Sequence, residues 1–154
     1  KARAVYRGKP LLDHALMSLQ GHVDTLAVIG REWHGLLSLS DQPTAGLGPI
    51  GGLMAALDYA HRQGFDAVLT TGCDTLGLMD AHICALSPAP AVLDSLPIVG
   101  LWPASLSPLL ADWISATERH ALYAFARHAQ ARLVAVDNPP RNINRIEDLE
   151  ALSV

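Results

Sequence analysis

Phe65 to Thr71 (FDAVLTT) runs directly into Gly72-Cys73-Asp74-Thr75. The run is short, mostly apolar and rich in strand formers, which predicts a strand buried on both faces. A buried strand that ends on a carboxylate beside a glycine puts negative charge at the carboxyl edge of a sheet. That is the edge where open α/β sheets bind ligands. Such a carboxylate can hold Mg²⁺, bind a ribose hydroxyl, or simply cap the turn that follows. Lys1, Asp41, Asn142 and Asn144 also fall at the ends of successive predicted elements. A doubly wound sheet gathers positions of this kind along one edge. With Asp74 they supply a cation, two carboxylates and two amides beside a glycine-rich loop. This inventory suits a nucleoside triphosphate with Mg²⁺: one carboxylate for the metal, lysine against phosphate charge, and backbone amides on sugar or base. Plainer roles stay open, namely turn chemistry after Pro139-Pro140 for the asparagines and a loop cap for Asp41.

Other chemistries find little support. The seven histidines show neither HExxH nor any metal-site spacing. Cys73 has no histidine close in sequence and reads as a small filler at a tight strand end. There is no G-x-S-x-G elbow and no complete P-loop. Gly46-Leu47-Gly48-Pro49-Ile50-Gly51 matches G-x-G-x-x-G in letters, yet a polar loop precedes it where the dinucleotide fingerprint needs a strand. A glycine loop opening a helix still presents backbone N–H groups to a phosphate or sugar without side-chain obstruction.

These residues need a scaffold, and the rest of the chain describes one. Half of the 154 residues are hydrophobic and 17% are charged, which favours a compact α/β interior in a single domain, 1–154. Net charge is −4 with thinly spread basic residues, so there is no nucleic-acid footprint. No apolar run reaches membrane-span length, and the two cysteines form no framework, so a reduced, cytoplasmic setting is expected. Helices are predicted over Leu11–Leu19, Ile50–Arg62, Leu76–Leu86, Leu106–Thr117, Arg119–Gln130 and Ile146–Leu152. Strands are predicted over Val23–Ile29, Leu36–Leu39, Phe65–Thr71, Ala91–Leu93, Ile98–Trp102 and Arg132–Val136. The alternation argues for a three-layer α/β fold, a mostly parallel sheet with helices on both faces.

The pattern resembles the molybdenum cofactor guanylyltransferase family (MobA), nucleotidyltransferases of Rossmann-like fold. The matching pieces are Lys1, Gly8-Lys9-Pro10-Leu11, Asp41, Gly48-Pro49-Ile50-Gly51-Gly52-Leu53, Gly72-Cys73-Asp74-Thr75, Pro97, Glu118-Arg119, Asn142-Ile143-Asn144 and Glu147-Asp148-Leu149. They span the whole chain in family order. The resemblance implies that molybdopterin, or its molybdenum-loaded form, attacks the α-phosphate of GTP and that pyrophosphate leaves. It also implies that Lys1 contacts phosphate, Asp41 binds GTP with Gly48 and Gly51, Asp74 binds Mg²⁺, and Asn142 and Asn144 face the pterin. Proteins of molybdoenzyme maturation are implied partners. Alternative readings are a related transferase using another nucleotide, such as CTP, or another acceptor, and an inert nucleotide-binding module. Relatives begin with a strand and an L-A-G-G-x-S-x-R-M-G loop that this sequence lacks, so an N-terminally incomplete domain is expected. Ile29 stands where relatives often carry asparagine, and Arg145-Ile146 replaces Thr-Pro.

Overall fold

The computed structural model describes residues 2–118, 120–145 and 147–148. Lys1, Arg119 and most of the predicted closing helix Ile146–Leu152 lie outside the described residues. The chain opens with a hairpin, β1 (Val5–Tyr6) and β2 (Lys9–Pro10), then α1 (Leu11–Leu19). Next come β3 (Ala27–Ile29), β4 (Leu37–Leu39), α2 (Pro49–Gln63), β5 (Ala67–Thr70), β6 (Thr75–Leu76) and α3 (Asp80–Ala85). The remainder is β7 (Ala91–Leu93), β8 (Leu96–Pro103), α4 (Ser107–Ala116), α5 (Leu122–His128), β9 (Arg132–Val134) and β10 (Arg141–Asn142).

The central sheet has the order β5-β8-β7-β9. β8 runs antiparallel to β5 and β7, whereas β7 and β9 are parallel. Three strands therefore point one way and β8 alone is reversed, because it returns from β7 through the tight Asp94-Ser95 turn. The sequence alternates faces along these strands as a sheet covered on both sides requires. Val92 and Trp102 join Leu53, Leu57, Leu110 and Phe125 in a core under α2, α4 and α5. Ala91, Leu93 and Val99 turn the other way, toward Leu86 and Leu78. Trp102 stacks on Phe125 at 5.8 Å and donates its indole N–H to Thr70 Oγ1 at 3.1 Å. Gly100 makes room for that ring, since a Cβ there would stand 2.8 Å from Trp102 Nε1.

β3 and β4 form a separate parallel pair, and both β3 and β5 pack on α2. Gly64 ends α2 in the left-handed conformation (φ 79°) and returns its N–H to the last turn. Several predicted elements are shorter than expected. The Phe65–Thr71 strand is realised as Ala67–Thr70, and it is half-buried rather than buried on both faces. The cause is its place at the edge of the described sheet, with β8 on one side only. Val23–Ile29 contracts to the three residues that pair with β4. The helix predicted over Leu76–Leu86 is replaced by β6, a turn at Gly77 (φ 79°) and the six-residue α3. Pairing of β6 with β10 overrides local helix preference there. No helix among the described residues is long and apolar enough to cross a membrane.

Candidate active site

After β5 the chain turns through Thr71-Gly72-Cys73-Asp74, closed by a bond from Thr75 N–H to Gly72 O at 3.2 Å. Gly72 is required by its surroundings. A Cβ there would stand 2.8 Å from Thr75 Oγ1 and 3.1 Å from Asp74 Oδ1. The Asp74 carboxylate is thus folded back over a glycine, half-buried, and accepts no hydrogen bond from any described residue. It caps no helix either, because α3 begins later, at Asp80, and its N-cap residue is Met79, whose N–H donates to His82 Nδ1. The capping role left open by the sequence is therefore not the one realised.

β10 brings the asparagines to this turn. Asn142 lies directly opposite Thr75, and Arg141 opposite Leu76, in an antiparallel ladder. Ile143 N–H then donates to Asp74 O at 2.9 Å, which ties β10 to the carboxylate residue itself. Asn142 Nδ2 donates to Asn144 Oδ1 at 3.3 Å. Asp148 Oδ2 accepts from the N–H groups of Asn144 and Arg145, at 2.9 and 2.8 Å, and so holds this turn. Asp74, Asn142 and Asn144 are thus assembled at one corner, although they are far apart in sequence.

Three buried polar atoms at or near this corner have no partner among the described residues: Thr71 Oγ1, Thr75 Oγ1 and Asn142 Oδ1. Thr75 is 2% exposed. Buried hydroxyls and amides are almost always hydrogen-bonded in folded proteins, so such a concentration points to a polar ligand or bound water. The sequence reading missed Thr71 and Thr75. Their signal was adjacency to Asp74, which the helix predicted from Leu76 obscured.

A second corner forms at the start of α2. Gly46 (φ 90°) and Gly48 (φ 65°) turn the loop, and Pro49 opens the helix. Gln42 N–H donates to Gly51 O at 3.1 Å. A Cβ on Gly51 would stand 3.3 Å from Asp41 Cβ, and one on Gly52 would stand 3.8 Å from Asp41 Oδ1. Asp41, Gly48 and Gly51 therefore meet at the amino end of α2, where backbone N–H groups favour anions. The second corner abuts β3, and the first lies near it through Cys73. Cys73 packs on the cluster containing Val28 and Trp33, and Ile29 Cγ2 lies 3.5 Å from the Cβ position of Gly52. Burial raises the Cys73 thiol pKa, and the neighbouring Asp74 charge raises it further, with Arg31 opposing. A thiol held protonated is a poor nucleophile, in keeping with a packing role. Lys1 lies outside the described residues.

The donor set discriminates between metals. No group of three or more His, Cys, Asp or Glu side chains that could hold an ion occurs among the described residues. A structural zinc site needs such a group. Mg²⁺ does not, since it binds through one or two carboxylates plus substrate phosphates and water. The Asp74 carboxylate, unpartnered among the described residues, fits that mode.

A family model described as a MobA-like NTP transferase domain matches residues 1–131. A molybdenum cofactor guanylyltransferase of Cereibacter sphaeroides is 31% identical, with 97% of this chain and 84% of that protein aligned. Proteins of the same description from Acidiphilium cryptum and Rhodobacter capsulatus are 28% and 30% identical. They align over 98% and 97% of this chain and 84% of their own length.

Proposed function

This chain belongs to the MobA-like NTP transferase family, and we propose that it transfers GMP from GTP to the terminal phosphate of molybdopterin. The phosphate oxygen of the acceptor forms a bond to the α-phosphorus of GTP, the bond to the bridging oxygen breaks, and pyrophosphate leaves with that electron pair. The product is a molybdopterin guanine dinucleotide. The observation that carries this reading is the Asp74 carboxylate, without a hydrogen-bond partner among the described residues, held over Gly72 and tied by its own backbone to the strand bearing Asn142.

Each residue has a task set by its chemistry. Asp41 and the glycine loop, Gly48 and Gly51, hold the nucleotide at the amino end of α2. Asp74 would hold Mg²⁺, which when bound supplies positive charge against the triphosphate. Lys1 adds a second positive charge. Asn142 and Asn144 orient the acceptor through their amides. The attacking group is already a phosphate anion, so no strong base is needed and positioning with charge neutralisation carries the rate. The similarity of the guanylyltransferases covers both corners of the site, which supports GTP as donor. Proteins that mature molybdoenzymes are proposed to receive the product, in the cytoplasm.

Pyrophosphate release with molybdopterin and Mg²⁺ is the test, comparing GTP, CTP and ATP as donors. GTP should support turnover at least about tenfold better than either competitor, the discrimination that one or two unmatched base hydrogen bonds provide. A preference for CTP would refute the guanylyl assignment. Binding of GTP without pyrophosphate release would leave a nucleotide-binding module rather than an enzyme.

A further inference from the structure

α3 is tied at both ends to the chain that runs from β9 to β10. At its carboxyl end, Arg132 of β9 donates from Nη2 to Leu86 O at 3.1 Å and to Pro88 O at 2.8 Å. Near its amino end stands His82, 2% exposed and among the largest fully buried side chains described. Four positions to either side of it in sequence, Leu78 and Leu86 pack with Leu93 and Val99. An apolar residue at position 82 would avoid the cost of desolvating a polar ring. The imidazole instead uses both of its nitrogens. Met79 N–H donates to Nδ1 at 3.2 Å, and a backbone N–H can only donate. Nδ1 therefore carries no hydrogen, and the one on Nε2 is directed at Asp137 O, 3.3 Å away and 55 positions along the chain. The first bond is local and orders the start of α3. The second is long-range.

Asp137 belongs to a stretch with little else to hold it. Among the described residues, no other hydrogen bond reaches residues 135–140. Pro139 and Pro140 have no N–H to give, and Asn138 sits at φ 49°. Beyond this stretch the chain enters β10, where Arg141 and Asn142 pair with Leu76 and Thr75 and Ile143 bonds Asp74 O. A ladder of two residues a side is marginal by itself. α3 is a firm post by comparison. Ile83 and Leu86 are buried, and His22 Nε2 bonds Asp80 Oδ1 at 2.8 Å from beyond the end of α1.

We propose that His82 is a positioning residue for the transfer: through Asp137 O it holds the approach to β10, so that Asn142 and Asn144 meet the acceptor beside Asp74. The proposal rests on the transfer reading above and adds to it a residue that touches neither substrate. Its effect falls on the acceptor side, because Asp41, Gly48 and Gly51 build the nucleotide corner at the start of α2.

Two substitutions separate the two bonds of the ring. His82→Gln places an amide N–H near the position of Nε2 and forfeits the acceptor at Nδ1. His82→Asn places an amide oxygen near the position of Nδ1 and leaves Asp137 O without its donor. Each removes one buried hydrogen bond, so each should lower the melting temperature by roughly 2–4 °C. Catalysis distinguishes them. His82→Asn is expected to lower kcat/KM for molybdopterin about tenfold or more, the scale of a small misplacement of orienting groups, with the KM for GTP within about twofold. His82→Gln should stay within about threefold of wild type in both. Amide exchange at Ile143 reads the same tie without turnover. It should quicken at least about tenfold in His82→Asn and stay near wild type in His82→Gln. Should His82→Asn fail to fold, His82→Met, which also lacks the donor, takes its place with the same expectations. Equal exchange and equal kcat/KM in the two folded variants would overturn the positioning role and leave the transfer reading intact. Faster exchange with kcat/KM unchanged would overturn it too, since the tie would then hold the strand without serving the transfer. A wild type that releases no pyrophosphate would refute the transfer reading and the role in it, while Ile143 exchange would still report the tie.

Discussion

Thr75 states the residue-scale case most simply. Its hydroxyl is buried, has no partner among the described residues and lies beside the Asp74 carboxylate across Gly72. A buried unsatisfied hydroxyl costs about 1–3 kcal/mol, so removing it without changing shape should not harm folding. Thr75→Val is therefore expected to keep or raise the urea midpoint while lowering turnover about tenfold or more. Loss of stability with unchanged turnover would make Thr75 a packing residue only. Cys73 gives a second residue-scale expectation. Its thiol pKa is raised by burial and by Asp74, so the thiol stays protonated near neutral pH. Iodoacetamide should label the exposed Cys84 well before Cys73. Because the folded pKa lies above the unfolded one, the stabilisation is complete below the unfolded value and is lost as pH rises through the folded one. Any contribution of Cys73 to stability thus disappears on the alkaline side, which urea midpoints measured against pH would report. Asp74, Asn142 and Asn144 were legible in the sequence because polar residues at element ends stand out against an apolar chain. Thr71 and Thr75 were not, since a threonine beside an aspartate looks like any turn residue until its lack of partners is visible.

At the scale of elements, the site depends on a strand that sequence periodicity cannot reveal. β6 has two residues, too few to show alternation, and it exists because β10 pairs with it from far along the chain. The same pairing turns a predicted helix into a strand, a left-handed Gly77 and a short α3. Long periodic elements were read well. α2 was expected over Ile50–Arg62 and spans Pro49–Gln63, and its stop at Gly64 is realised in the left-handed conformation. Gly72 is where element geometry and chemistry meet, since its missing Cβ lets β5 turn sharply enough for Asp74 to fold back. Gly72→Ala would bring a methyl within 2.8 Å of Thr75 Oγ1 and 3.1 Å of Asp74 Oδ1. A shift to relieve that contact should cost about 1–3 kcal/mol and move the carboxylate. Turnover is expected to fall by more than tenfold, while thermal unfolding stays cooperative. A Gly72→Ala protein with wild-type turnover would show that the fold-back is incidental.

Across the described residues, three of the four strands of the central sheet share one direction, with α2, α4 and α5 on one face and the residues flanking α3, Leu78 and Leu86, on the other. The alternation of apolar and turn segments made this architecture legible, but the reversal of β8 was hidden in it, because a hairpin and a crossover have the same apolar pattern. What sequence order alone could not supply was the gathering of residues from the turn after β5, β6 and β10 at one corner. The account turns on the carboxylate at that corner. Pyrophosphate release from GTP with molybdopterin and Mg²⁺, compared between wild type and Asp74→Asn, tests it most directly. The substitution keeps the shape of the side chain and removes its charge. The expected result is a loss of at least about 100-fold in turnover, the scale of removing a preorganised charge interaction, with an unchanged melting temperature. Turnover within a few-fold of wild type would contradict the central claim.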